Sequence, residues 1–154
     1  IMENNVGTRL EGGAIVNLRG ELELYDSVLK NNETLLGTGG AIYNGTSSTM
    51  LLDNTVLEGN KAARAGGAIY NEVGSGLLEL RNGTKILNNS AAEHGGGIYN
   101  AGSLKLSSDC QIMTNTANTA DASFHGGGIF NAGTFVDTPE TTLNQVVTNN
   151  QSRY

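Results

Sequence analysis

The sequence contains one cysteine, one proline and no tryptophan, and each of these shortages excludes a class of structure. A single cysteine, Cys110, cannot form a disulfide within the chain, so cysteine usage does not reveal the redox compartment. Disordered glycine-rich linkers usually contain proline or serine runs as well, so one proline beside 22 glycines argues against a linker. Aromatic residues make up 5% of the chain, and the core is therefore expected to be aliphatic.

Basic residues are also few. Lysine and arginine number 9 against 15 acidic residues, which gives a net charge of -6. Nucleic acid is therefore not an expected partner, because phosphate binding needs a basic stripe. No apolar run reaches the 18 residues of a membrane helix and no signal peptide is visible, so no membrane span is predicted in this segment. The sequence begins with Ile1, which indicates either a removed leader or a piece of a longer protein.

Glycine is abundant, and most of it lies in one phrase that occurs five times. The copies read GGAIVN, GGAIYN, GGAIYN, GGGIYN and GGGIFN. They close on Asn17, Asn44, Asn71, Asn100 and Asn131, at intervals of 27, 27, 29 and 31 residues. A period of this length is typical of a solenoid.

Each repeat contains two further apolar segments. The second segments alternate apolar and polar residues, as strands do, and begin at Glu21, Thr49, Leu77, Ser103 and Thr134. The third segments begin at Val28, Val56, Ile86, Ile112 and Val146. Their fourth place holds asparagine or glycine, which adopt a left-handed backbone most easily. These predicted turn residues are Asn31, Gly59, Asn89, Asn115 and Asn149.

The repeats predict an all-β fold, because no segment has helical periodicity over ten or more residues. We expect a right-handed parallel β-helix of about five coils with three short strands each, in a single domain over residues 1–154. The hand follows from the general rule for parallel crossovers.

The glycine phrase is explained by packing in this fold. Its isoleucines are expected to form one internal column of Ile15, Ile42, Ile69, Ile98 and Ile129. The asparagines two places later share that face and are expected to form an internal hydrogen-bonded ladder of Asn17, Asn44, Asn71, Asn100 and Asn131. Glycine stands two places before each isoleucine because a bulky inward side chain at that place is expected to collide with the opposite wall of the coil. The residues after each isoleucine predict an outer stripe of Val16, Tyr43, Tyr70, Tyr99 and Phe130.

The GGAI phrase and the third segment together resemble the repeats of chlamydial polymorphic outer-membrane proteins and related surface proteins. In that family the second motif is typically Phe-x-x-Asn. Here the phenylalanine place holds Val28, Ile86, Ile112 and Val146, and Gly59 takes one asparagine place. The resemblance implies a β-helical passenger of a secreted or autotransported surface protein, often adhesive, located outside the cell or at the outer membrane.

Residues that could carry chemistry are scattered. A β-helical polysaccharide lyase or hydrolase needs two or three carboxylates converging in a groove. Asp26, Asp53 and Asp109 could form a weak acidic row on neighbouring coils, but solvated turn residues are the preferred interpretation. His94 and His125 are weak metal candidates, with Glu93 as a third ligand; exposed turn histidines are the alternative. No catalytic residue and no cofactor is predicted.

Both ends of the sequence lie in the third segment of the repeat. Solenoids ordinarily need caps, so two explanations stay open: a fragment whose partners are further repeats of a longer chain, or a subunit that stacks head to tail on copies of itself. The sequence predicts a non-enzymatic extracellular β-helix that serves as a surface stalk, an adhesive passenger or a self-associating fibre element. A host or neighbouring cell surface is a further possible partner. The alternatives are a carbohydrate-active β-helix and an ice-binding solenoid.

Overall fold

The structure, a computed structural model, describes residues 1–118, 126–139 and 146–153. Its strands pair in parallel into four sheets that run along a solenoid of about five turns. Sheet 1 contains β3 (Ile15–Asn17), β7 (Ile42–Asn44), β11 (Ile69–Asn71), β15 (Ile98–Asn100) and β19 (Ile129–Asn131). Sheet 2 contains β4 (Glu21–Tyr25), β8 (Thr49–Asp53), β12 (Leu77–Arg81), β16 (Ser103–Leu106) and β20 (Thr134–Phe135). The predicted all-β parallel solenoid is confirmed.

Two further sheets come from the third segment of the repeat. Sheet 3 contains β1 (Met2–Glu3), β5 (Val28–Lys30), β9 (Val56–Glu58), β13 (Lys85–Leu87), β17 (Gln111–Met113) and β21 (Val147–Thr148). Sheet 4 contains β2 (Val6–Gly7), β6 (Glu33–Thr34), β10 (Lys61–Ala62), β14 (Ser90–Ala91), β18 (Thr116–Asn118) and β22 (Gln151–Arg153). A coil therefore has four strands, and the prediction of three is wrong. Strands of two or three residues are too short to show an alternating pattern. The right hand and the single domain stay predictions.

In sheet 1 the register pairs the equivalent residues of neighbouring coils. Ile69 pairs with Ile42 on one side and with Ile98 on the other. The side chains of these three isoleucines are completely buried, whereas Ile15 and Ile129 at the two ends of the column are partly buried. Leucine, isoleucine and methionine from sheets 2 and 3 fill the rest of the core. Each coil thus buries a similar apolar layer, and burial of these layers is the main stabilising term.

The two glycines of each phrase have different structural reasons. The first has a positive φ, +67° at Gly66, which favours a residue without a Cβ atom. At the second, a Cβ on Gly67 would overlap the carbonyl oxygen of Gly96 and lie 2.6 Å from the backbone of Ser90. Both obstacles belong to the next coil, so the predicted collision with the opposite wall is wrong.

The left-handed turn after sheet 3 lies one residue away from the predicted place in two coils. Asn31, Gly59 and Asn149 have positive φ values of 53°, 66° and 54°. In the two coils that follow Gly59 the strand register differs from the predicted alignment. Lys85, and not Ile86, pairs with Val56, and Gln111 in turn pairs with Lys85 and so takes the place predicted for Ile112. The turn residues in those coils are therefore Asn88 and Thr114, with φ of 55° and 57°. The prediction of Asn89 and Asn115 as turn residues is wrong, because the sequence alignment of the third segments slipped by one residue.

Candidate functional site

The predicted asparagine ladder lies at the carboxyl end of sheet 1. The side-chain Nδ2 of each asparagine donates to Oδ1 of the asparagine in the following coil, at 2.6–2.8 Å from Asn17 through Asn131. Asn44, Asn71 and Asn100 are completely buried. Every step of this ladder donates in the same direction, from an earlier coil to a later one.

A second asparagine ladder lies after sheet 3, and the sequence interpretation missed it. It consists of Asn5, Asn32, Asn60, Asn89, Asn115 and Asn150, joined by Nδ2 to Oδ1 bonds of 2.8–3.0 Å. From Asn32 onward, each Oδ1 also accepts the backbone N–H of the preceding ladder asparagine, at 2.8 Å from Asn60 to Asn89. Recurring Asn-Asn pairs such as Asn31-Asn32 and Asn88-Asn89 were the available signal, because only the second member of each pair is buried.

The second ladder also corrects the motif of the third segment. With the register of the structure, an apolar residue stands three places before each ladder asparagine. These residues are Met2, Leu29, Leu57, Ile86, Ile112 and Val147, and they pair with one another in sheet 3. Leu29 and Val147, rather than Val28 and Val146, take the apolar place. Asn60, rather than Gly59, takes the asparagine place, so the apparent departure at Gly59 disappears.

The outward residues of sheet 1 form an aromatic column. Ring centroids are 5.5 Å apart between Tyr43 and Tyr70, 4.6 Å between Tyr70 and Tyr99, and 5.3 Å between Tyr99 and Phe130. The rings are within 12° of parallel. Burial raises the pKa of Tyr70, and burial followed by a hydrogen bond to Glu72 raises that of Tyr43. The predicted outer stripe of stacked rings is confirmed.

The weak metal candidates do not form a centre among the described residues. The His94 ring lies 4.3 Å from the Phe130 ring, and Glu93 Oε1 accepts a hydrogen bond from Arg64 Nε at 3.2 Å. His125 lies outside the described residues. Over the described ranges, no group of three or more histidine, cysteine, aspartate or glutamate side chains could hold a metal ion.

The three aspartates considered as an acidic row occupy different positions of the repeat, so they do not form that row. Asp53 pairs in register with Tyr25 and Arg81. Hydrogen bonds from Asn82 and from Arg81 lower the pKa of the Asp53 carboxyl. Asp26 instead lies opposite Asn54, whose side chain donates to it at 2.7 Å. Asp109 adjoins Cys110, a buried thiol whose pKa burial raises to about 11.

Among the described residues, five ion pairs join neighbouring coils on the outer surface. They are Lys30–Glu58, Lys61–Glu33, Arg64–Glu93, Arg81–Asp53 and Lys105–Glu79, with nitrogen to oxygen distances of 2.7–3.4 Å. Exposed pairs of this kind are worth about 0–1 kcal/mol each. They favour the register of the coils but do not hold the fold together.

Comparison with known proteins finds a family repeat that two segments of the chain resemble. The family model of the Chlamydia polymorphic membrane protein repeat matches residues 54–72 and 83–101. Each match runs from the turn before sheet 3 to the end of the aromatic-bearing strand of sheet 1 and includes one asparagine of each ladder. No curated protein and no solved structure matches the chain. Within the described residues no helix is long and apolar enough to cross a membrane. The resemblance seen in the sequence is thus confirmed: residues 54–72 and 83–101, which lie in neighbouring coils of the parallel β-solenoid, are similar to the Chlamydia polymorphic membrane protein repeat.

Proposed function

We propose that this β-solenoid is a non-enzymatic rod within a surface-displayed passenger and that its outer faces make the contacts of that passenger. The observation that carries the proposal is a contrast between inward and outward positions. Inward places repeat the same residue from coil to coil, as in the isoleucine column and the two asparagine ladders. One outward row of sheet 2, in contrast, reads Glu23, Leu51, Glu79 and Lys105 in register. The fold therefore tolerates varied outer chemistry.

The family match and the solenoid fold both fit a β-helical surface passenger. A rod whose outward residues vary in charge and polarity, as in this row of sheet 2, is suited to display and contact. Adhesion to a host or neighbouring cell is the specific role that we infer from this arrangement. The rod itself supplies length and rigidity, because parallel strands stacked in register move as one unit.

Surface display can be tested on intact cells of the organism that encodes the chain. We expect antibodies raised against the folded chain to label unpermeabilised cells, and added protease to remove that labelling. A periplasmic or cytoplasmic marker should stay unlabelled in the same cells. Labelling that appears only after permeabilisation would contradict the proposal.

The purified chain is expected to leave polysaccharides intact. We expect no new reducing ends or unsaturated products from acidic or neutral polysaccharides, with or without calcium. The support is that Asp53 and Asp26 are each held by neighbouring side chains at separate places. A known lyase serves as the positive control. Turnover that is lost in the Asp53→Asn variant would establish the enzyme alternative.

A second candidate, head-to-tail stacking of copies, is favoured by the polarity of the ladders. Within the described residues, no donor reaches Oδ1 of Asn17 or Asn5 in the first coil. At the other end, Asn131 Nδ2 donates to the nearby carbonyl of Gly133 at 3.2 Å. The donor and acceptor ends of the first ladder are thus complementary. The first coil also exposes apolar side chains, including Val6, Leu10 and Leu18.

Stacking of this kind should produce thin unbranched fibres, because a contact that does not close continues indefinitely. We expect sedimentation and electron microscopy to show assembly that increases with protein concentration. Val6→Pro should block it, because Val6 pairs with Glu33, whose backbone N–H donates to Asn5 O of the preceding coil at 2.9 Å, and proline removes the equivalent donor from the first coil. Val73→Lys, at an exposed position on the side of the rod, should assemble normally. A folded monomer at every concentration would contradict stacking and leave the surface rod unaffected.

A further inference from the structure

A groove runs beside the aromatic column, parallel to the solenoid axis, and consists of two adjoining cavities. The larger, about 370 Å³, extends from Thr38 to His94, and the smaller, about 170 Å³, extends from Leu10 to Arg64. Thr38, Arg64 and Tyr70 line both cavities, so the two form one groove. We call it the tyrosine groove. It spans several coils and matches the proportions of a linear ligand rather than a compact one.

The larger cavity exists because one side chain is small. The residue before each glycine pair is Glu11, Thr38, Ala65 and His94 in successive coils. Ala65 leaves an opening between Thr38 and His94, and Tyr70 forms the wall beside it. A larger residue is compatible with the backbone at this place, since His94 occupies the equivalent position one coil later.

The walls of the tyrosine groove exclude several kinds of ligand. Both faces of the Tyr70 ring are covered by Tyr43 and Tyr99, so the wall offers ring edges and hydroxyls. Proline-rich peptides and unpaired bases need an uncovered aromatic face. A peptide strand needs free backbone groups, but the backbone here pairs between coils, as in Gly39 N to Ala65 O and Gly66 N to His94 O, both at 3.0 Å.

The charge of the groove excludes a polyanion. The lining carboxylates are those of Glu11, Glu72 and Glu93, whereas Arg64 is the one lysine or arginine side chain among the described lining residues. Arg64 is already paired with Glu93. A ligand that carries repeated carboxylates or phosphates would meet a net negative field. Neutral hydroxyl groups, in contrast, can bond to carboxylates, to guanidinium and to phenol oxygens.

The spacing of the groove then selects the ligand. Its tyrosines recur at 5.5 and 4.6 Å, close to the strand spacing of about 4.8 Å. A chain of 1,4-linked pyranose rings advances by a comparable length per sugar and presents hydroxyls at each step. We propose that the tyrosine groove binds a linear neutral oligosaccharide along the solenoid axis. Its hydroxyls bond to the tyrosine hydroxyls, Arg64 and the lining carboxylates, and no bond in the sugar is broken.

Calorimetric titration of the purified chain with cellopentaose and with chitopentaose tests the inference. We expect saturable binding of at least one of them. Ala65→His should weaken it at least about tenfold, because the imidazole fills the larger cavity. Tyr70→Phe keeps the stack and removes one hydroxyl, so binding should fall about two- to tenfold, the worth of one hydrogen bond.

Two matched variants separate binding from folding. Arg64→Ala should reduce binding at least about tenfold, whereas Lys61→Ala removes a nearby exposed cation outside the groove and should leave binding unchanged. Circular dichroism and the unfolding midpoint establish that each variant is folded; if Ala65→His misfolds, Arg64→Ala decides. Absence of saturable binding to both oligosaccharides would overturn the inference. So would undiminished binding in the folded groove variants, or tighter binding of oligogalacturonate or of a proline-rich peptide. The surface-labelling experiment is independent of all these outcomes.

Discussion

Replacing Ile69 with aspartate is expected to abolish cooperative folding of the chain. Ile69 has no exposed surface and packs in the middle of the isoleucine column between Ile42 and Ile98. A carboxyl group in such an apolar layer lacks hydrogen-bond partners whether it is ionised or takes up a proton, and the packing of the isoleucine is lost as well. The combined cost is comparable to the roughly 5–15 kcal/mol that stabilises a typical domain. The carboxyl group could regain contact with water only by opening the coil, which would break the pairing on both sides. Circular dichroism and urea titration should show loss of the β signal and of the cooperative transition.

Two control variants define the cause of that effect. Val73→Asp makes a comparable change at a position that is 68% exposed and should leave the unfolding midpoint nearly unchanged. Ile69→Val keeps the site apolar and should cost about 0.5–1.5 kcal/mol, the usual loss for one buried methylene. Cooperative unfolding of Ile69→Asp at the wild-type urea concentration would mean that the isoleucine column does not face the core.

The parts of the fold that sequence could predict are those where identical residues recur. Isoleucine at one place in five coils, with asparagine two places later, predicts both the strands of sheet 1 and the first ladder. Alternation in segments such as Glu21–Tyr25 predicts sheet 2. Sheet 4 could not be predicted in the same way. Its strands β6, β10 and β14 have two residues each, and outward Glu33, Lys61 and Ser90 share no chemical type.

The register of sheet 3 could not be read from single residues, because Asn-Asn pairs allow two alignments. Shifting a strand by one residue exchanges its inward and outward faces. Burial decides between the alignments: Asn89 is buried and Asn88 is exposed. The sequence shows that both are asparagine but not which of them the neighbouring coil can pair with.

The aromatic column was predictable from strand parity, whereas the tyrosine groove was not. The groove depends on the distance between two side chains of the same coil. One is the residue before the glycine pair, such as Ala65, and the other is the ring after the isoleucine, such as Tyr70. That distance depends on the left-handed backbone at glycines such as Gly66, which lies between the two side chains in the sequence. The small side chain of Ala65 is a clue only once its place opposite Tyr70 is known.

The second ladder predicts that two adjacent asparagines differ greatly in their importance. Asn89→Gly is expected to lower the free energy of unfolding by about 3–5 kcal/mol, since each buried group left without a partner costs about 1–3 kcal/mol. The Asn89 side chain donates to Leu57 O and Asn115 Oδ1 and accepts from the backbone and side chain of Asn60. Its removal leaves the buried Asn60 N–H without an acceptor and opens a gap in the ladder.

Asn88→Gly is the matched comparison, because it makes the same chemical change one residue earlier. Asn88 is exposed and has a φ of 55°, which glycine adopts without strain, and its side chain accepts one bond from Thr114 Oγ1 at 2.7 Å. We expect a change of about 1 kcal/mol or less, because a gain from relieved strain offsets the added freedom of the unfolded chain. Urea titration of both variants measures the difference directly. Equal losses, or a larger loss at Asn88, would contradict the second ladder and return the third segment to the register in which Asn89 forms the turn.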